Sequence, residues 1–206
     1  MSDRNALAGV FPVFQTPFHD DESIDDATLE AEINWLFDCG ADGVVMAMVS
    51  EVLRLDTDER RRLAELACRF GRGRGAVIVS VGAESGAAAE RLARHAESIG
   101  ASATMAIPPV SVAVAEDELV RYYERLVRAT TIPLVVQDAS GYVGRPMSIA
   151  MQARLLAEFG GERVLFKPEA TPIGPRLSAL REATGGRARI FEGTGGIALV
   201  DSHRRG

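Results

Sequence analysis

Lysine is almost missing from this chain. The 23 basic residues are 22 arginines and a single lysine, Lys167. Arginine replaces lysine in most solvated roles, but it cannot lose its proton and attack a carbonyl. The one surviving lysine is therefore the first residue to follow. Cysteine is scarce too. Cys39 and Cys68 are too few for a disulfide framework and lack zinc-ligand spacing, so both read as free core thiols. No run approaches 18 apolar residues, which excludes a membrane-spanning helix. Met1 to Val10 lacks the apolar run of a signal peptide, so the expected location is cytoplasmic. Excess positive charge is absent as well. The net charge of −6 argues against nucleic acid or an anionic membrane as a partner.

What is present is ordinary globular material: 206 residues, 47% hydrophobic and 25% charged, enough for one domain with a full core. Short apolar runs alternate with longer amphipathic segments. Seven runs read as strands: Gly9 to Phe18, Gly43 to Met48, Ala76 to Gly82, Ala103 to Pro108, Ile132 to Asp138, Val164 to Lys167 and Arg189 to Gly193. The segments between them carry helix signals. Leu29, Ile33, Leu36 and Phe37 fall at helical spacing, and acids open the helix beginning near Asp56. Further helices are expected over Ala87 to Ile99, Glu116 to Ala129, Ser148 to Phe159 and Pro175 to Ala183, and another opens at Ile197. Regular β-α alternation implies a parallel sheet with helices outside. Repeats of about 27 residues fit a (β/α)8 TIM barrel better than a doubly wound sheet. The expectation is one barrel domain over residues 1–206, truncated after the seventh strand, with the eighth strand and following helices missing.

In such a barrel the chemistry sits at the C-terminal ends of the strands. The sixth run ends Phe166-Lys167-Pro168-Glu169. Burial there favours the neutral, nucleophilic form of an amine. Glu169 lies two residues on, so in extended chain it shares the lysine's face. An amine beside a carboxylate suits Schiff-base chemistry, in which the amine captures a ketone and the carboxylate moves a proton. An ion pair at a barrel rim is the plainer reading of the same two residues.

Several markers together are recognisable: Thr16-Pro17-Phe18, Gly40-Ala41-Asp42-Gly43, Pro108-Pro109 and the lysine of the sixth run. With them the chain resembles the dihydrodipicolinate synthase and N-acetylneuraminate lyase family of Schiff-base TIM barrels. The family's Schiff-base lysine matches Lys167. Two positions depart from the main pattern. The Gly-Thr-Thr-Gly-Glu loop after the second strand reads Ala47-Met48-Val49-Ser50-Glu51 here, and the tyrosine ending the fifth strand is Gln137. The 2-keto-3-deoxy-L-arabonate dehydratase branch carries the same changes. Its Ser-Glu and Val-Gln-Asp-Ala motifs are matched by Ser50-Glu51 and Val136-Gln137-Asp138-Ala139, and its Phe-Lys-x-Glu-x-Pro motif is matched through the glutamate by Phe166-Lys167-Pro168-Glu169, with the proline one residue later at Pro172.

The resemblance implies a lyase that dehydrates a 2-keto-3-deoxy sugar acid. Lys167 would form the imine and Glu169 would move the proton. Substrate binding would fall to Thr16, Ser50, Glu51, Gln137, Asp138, Gly193 and Thr194. No metal or organic cofactor is called for, the partner is a small 2-keto acid, and family members are usually homo-oligomers. Two alternatives stay open: a pyruvate-dependent aldolase or synthase of the same family, and an inactive truncated member with exposed strand edges.

Other features have plainer readings. Gly193-Thr194-Gly195-Gly196-Ile197-Ala198 fits a dinucleotide fingerprint, but too little chain follows for the second strand and acid it needs. A substrate-contacting loop is the better expectation. His19, His95 and His203 lack a ligand constellation. Arg60-Arg61-Arg62 reads as exposed charge, and Tyr142 as a loop residue.

Overall fold

The computed structural model describes residues 7–141 and 144–206. They cluster into two compact units. The first holds the described residues up to Val81 together with Leu92–Met105; the second holds Gly82–Arg91 and Ala106–Gly206.

The first unit begins with α1, Asp26–Asp38, whose Asp25 cap accepts from the amide of Thr28. Leu29, Ile33 and Phe37 form its buried stripe. Strand β1, Gly43–Val45, follows. Helix α2, Thr57–Gly71, opens with a capping box in which Asp56 and Glu59 exchange bonds across the first turn, satisfying amides that have no partner within the helix. Then comes β2, Ala76–Ser80; of helix α3, Gly86–Ser98, this unit holds the part from Leu92, and of β3, Ala103–Ala106, the part up to Met105. β1 pairs parallel with β2, Gly43 opposite Ala76, and β2 pairs parallel with β3, Ile78 opposite Ala103. All five residues of β2 are buried, as expected of a strand covered on both faces.

The second unit contains α4, Glu116–Ala129, β4, Leu134–Asp138, α5, Ile149–Phe159, β5, Val164–Pro168, α6, Ile173–Ala183, and α7, Leu199–Arg205. β4 and β5 are parallel, Leu134 opposite Val164 and Gln137 opposite Lys167. Tyr123, Leu126, Met147, Met151 and Phe166 are its large buried side chains. The Ser148 hydroxyl caps α5 by accepting from the Met151 amide at 3.0 Å.

The β-α order agrees with the sequence expectation, but the outermost runs differ. The expected first strand forms two isolated bridges instead, a parallel one from Val13 to Val45 and an antiparallel one from Phe18 to Ile24. Pro12 and Pro17 have no amide hydrogens to extend the ladder. The expected seventh strand is a single bridge, Ile190 to Phe166. There Phe166 donates to the Arg189 carbonyl at 2.9 Å and Phe191 donates to the Phe166 carbonyl at 2.8 Å. The run expected over Gly43 to Met48 stops at Val45, because Met48–Ser50 turns into a short 3-10 helix. Among the described residues no helix is long and apolar enough to cross a membrane.

Candidate active site

The second unit brings four of the expected site residues together. In the β4–β5 register Gln137 lies opposite Lys167, so their side chains project from the same face. Glu169, two residues past Lys167, returns to that face just beyond the strand. Its amide donates to the Asp138 carbonyl at 2.9 Å, which extends the pairing past Pro168.

The Glu169 carboxylate is held on both oxygens. Lys167 Nζ donates to Oε1 at 3.0 Å, and Gln137 Nε2 donates to Oε2 at 2.5 Å. The side chains of Lys167 and Glu169 are 14% and 4% exposed. A pair this secluded is costly unless its remaining hydrogen-bonding capacity is met. The Gln137 amide meets that of the second carboxylate oxygen. Gly193 completes the cluster: a Cβ built there would stand 2.7 Å from Glu169 Cγ.

Asp138 is adjacent in sequence but differently employed. One oxygen accepts from the amide of Ser140 at 3.2 Å and its hydroxyl at 2.6 Å; the other accepts from the Met147 amide at 3.0 Å. Arg176 on α6 donates to that second oxygen at 3.4 Å and to the Met147 carbonyl at 2.5 Å. Asp138 thus ties the chain on both sides of the segment after β4. Tyr142 lies outside the described residues. Thr194 bonds Glu192 through both its amide, at 2.8 Å, and its hydroxyl. The Glu192 carboxylate also accepts from the Gly196 amide at 3.3 Å, so these loop amides already hold an internal anion.

Thr16, Ser50 and Glu51 belong to the first unit. The Ser50 side chain is fully buried. Its Oγ donates to the Phe14 carbonyl at 2.5 Å and accepts from the Ala47 amide at 3.2 Å. Thr16 Oγ1 donates to the Ser50 carbonyl at 2.8 Å. These hydroxyls stitch the segment containing Phe14 to the turn after β1. Glu51 takes the left-handed backbone region, φ 62°, and pairs with Arg54 at 2.5 Å near the surface.

Sequence reasoning passed over Arg176 and Gly141. Nothing in a helix pattern marks one arginine as the partner of Asp138. Gly141 is tight because a Cβ there would lie 2.5 Å from the Glu169 carbonyl, a closeness visible only once the chain is folded. Among the described residues no group of three His, Cys, Asp or Glu is placed to hold a metal ion.

A lysine and a glutamate pair at the end of a parallel strand, in β-α-β surroundings. Residues 6–162 match the profile of the dihydrodipicolinate synthetase family, and the chain belongs to that family. The matched stretch stops short of Lys167 and Glu169. The chain is 34% identical over 141 residues to a 4-hydroxy-tetrahydrodipicolinate synthase of Acidiphilium cryptum, covering 68% of this chain and 48% of that protein. It is 32% identical over 168 residues to an L-2-keto-3-deoxyarabonate dehydratase of Azospirillum brasilense, covering 80% and 53%. It thus spans about half the length of these curated relatives. The crystal structure of the chloride-inhibited dihydrodipicolinate synthase of Acinetobacter baumannii, complexed with pyruvate, superposes with a TM-score of 0.84 at 25% identity. It covers 91% of this chain and 64% of that one. The fold is therefore that of the family's (β/α) barrel, represented here in part. Members of the family are lyases.

Proposed function

We propose that Lys167 is a Schiff-base lysine and that the chain acts as a lyase on a 2-keto-3-deoxy sugar acid, dehydrating a substrate of the 2-keto-3-deoxy-L-arabonate type. One observation carries the reading. The only lysine of the chain stands 3.0 Å from a buried glutamate whose second oxygen is held by the amide that replaces the family's tyrosine. The likeness to an L-2-keto-3-deoxyarabonate dehydratase supports the substrate class.

The chemistry follows from these groups. Lys167 Nζ passes a proton to Glu169 Oε1 and adds to the C2 ketone. Glu169 returns that proton to the carbinolamine oxygen, a second proton passes from the added nitrogen to the same oxygen, and it leaves as water to give the iminium. The iminium acidifies the C3 hydrogens, and Glu169 takes one, leaving an enamine. The enamine electrons form the C3–C4 double bond as the C4 hydroxyl departs with the proton from Glu169, again as water. Hydrolysis of the conjugated imine frees Lys167. One water is lost overall and the carbon chain stays whole. The Gln137 amide cannot relay protons; its part is to hold Glu169. The chemistry asks for no metal or organic cofactor, and the partner is a small 2-keto acid.

Borohydride reduction tests the reading. The chain is incubated with pyruvate or 2-keto-3-deoxy-L-arabonate, reduced, and mapped by peptide mass. An adduct on Lys167 is expected. Its absence from a chain folded by circular dichroism overturns the Schiff-base reading. Product analysis then separates dehydration from aldol cleavage, which yields pyruvate and an aldehyde.

A further inference from the structure

Glu169 is confined more tightly than its two hydrogen bonds require. Its backbone cannot retreat: the amide is bonded to the Asp138 carbonyl, and the chain at Gly141 closes on the Glu169 carbonyl. Its carboxylate is drawn to Lys167 on one oxygen and to Gln137 on the other. The remaining side is closed by Gly193. A Cβ built at Gly193 would stand 2.7 Å from Cγ, 2.9 Å from Cδ and 2.9 Å from Oε1 of Glu169. Oε1 is the oxygen that faces the lysine. Gly193 is not among the glycines with positive φ, so conformational freedom is not what calls for glycine at this position. The space is.

We propose that Gly193 is a positioning residue for Glu169. It leaves open the volume in which the carboxylate can lie against Lys167 Nζ, and it sets catalysis through that placement rather than by touching substrate. The role assigned to Glu169 rests on the Schiff-base reading above; the placement of its carboxylate does not. The three atoms nearest an added methyl group all belong to the Glu169 side chain. Relief requires rotating that side chain away, which breaks its bonds to Lys167 and Gln137.

The test is a cycle of Gly193→Ala, Glu169→Ala and the double variant, with crystal structures and rates. In Gly193→Ala, Oε1 is expected beyond hydrogen-bonding distance from Nζ. Turnover of 2-keto-3-deoxy-L-arabonate is expected to fall about 100-fold, the scale of a misplacement of about 1 Å, while the borohydride-trapped pyruvate adduct on Lys167 still accumulates on long incubation, water serving the proton transfers of imine formation. In the Glu169→Ala background the same glycine change is expected to cost nothing further, because its target is gone. The proposal is overturned by a Gly193→Ala structure with the carboxylate still against Nζ, or by single effects that multiply in the double variant. Should Gly193→Ala fail to fold, recovery of folding in the double variant supports the proposal; failure of both overturns it. If the unaltered chain traps no pyruvate, the Schiff-base reading falls alone, and the position of the carboxylate in the crystal still decides the role of Gly193.

Discussion

Gln137 and Lys167 are register partners across β4 and β5, and both donate to the same carboxylate, one to each oxygen of Glu169. The pairing turns two unrelated sequence positions into a clamp. A tyrosine at position 137 would offer a proton to a substrate. The amide offers only a fixed donor, so proton movement falls to the group it holds.

Glu169→Gln separates capture from turnover. The amide keeps the shape of the side chain but cannot accept the C3 proton. With water taking over the proton transfers of imine formation, the pyruvate adduct on Lys167 is expected to form more slowly but to accumulate on long incubation, while dehydration slows by about 10²- to 10⁴-fold, the usual share of a general base. Lys167→Ala is expected to abolish the adduct. Equal loss of trapping and turnover in Glu169→Gln would place its main role in activating the amine.

Gln137→Leu removes one donor from a buried carboxylate. An unmet acceptor in such a place costs about 1–3 kcal/mol. Urea unfolding is expected to show a lower midpoint with unchanged slope. An unchanged midpoint would show that water replaces the amide.

Ser50→Ala distinguishes a brace from a substrate ligand. The Ser50 hydroxyl joins Phe14 to Ala47, and its loss leaves a carbonyl and an amide without that partner. The expected result is a stability loss of about 1–3 kcal/mol, read by urea unfolding. A raised KM with stability unchanged would return Ser50 to the role of holding the substrate carboxylate.

The two thiols are expected to react very differently. Burial pushes the Cys68 thiol up to about 12, while Cys39 is exposed. The thiolate is the nucleophile, so at pH 8 a thiol with that value is ionised to only about one part in 10⁴. A disulfide reagent at pH 8 should titrate one thiol in the native chain and two in denaturant. Two fast thiols in the native state would show that the α2 helix opens readily.

Glu84 supplies a pH test. Its carboxylate accepts from the Ser111 hydroxyl and from the amides of Val110 at 3.0 Å and Ser111 at 3.1 Å. The Ser111 hydroxyl is the main cause of a carboxyl held below its ordinary 4.5. A lowered value in the folded state stabilises above the unfolded value and is lost as pH falls through the folded one. The loss therefore begins near pH 4.5 and grows below it. Glu84→Gln should narrow the stability difference between pH 6 and pH 3. The group is largely exposed, so the change is small, and an unchanged difference would show that solvent screens these bonds.

Much of the architecture could be read from local pattern. The expected helix over Glu116 to Ala129 is α4 to the residue, because acids open it and an amphipathic stripe runs its length. The buried valine-rich run at Ala76 formed a strand for an equally local reason. The ends of the chain's β pattern were less legible. Strand length depends on which neighbour offers backbone partners, and the runs around Val13 and Ile190 found only isolated bridges.

At the site, the identity of the lysine and its spacing from Glu169 were sequence facts. A scarce residue is conspicuous, and two-residue spacing in extended chain has one geometric meaning. The partners of Glu169 were not. Gln137 is 32 residues away, and Gly193 matters for an atom it lacks. Register between parallel strands is decided by backbone pairing across the sheet, and close approach by the packing of a loop onto a side chain. The sequence by itself therefore determined which groups can do chemistry; only the tertiary structure decided that the carboxylate is clamped, by what, and on which side, because those contacts form between segments that no local rule connects.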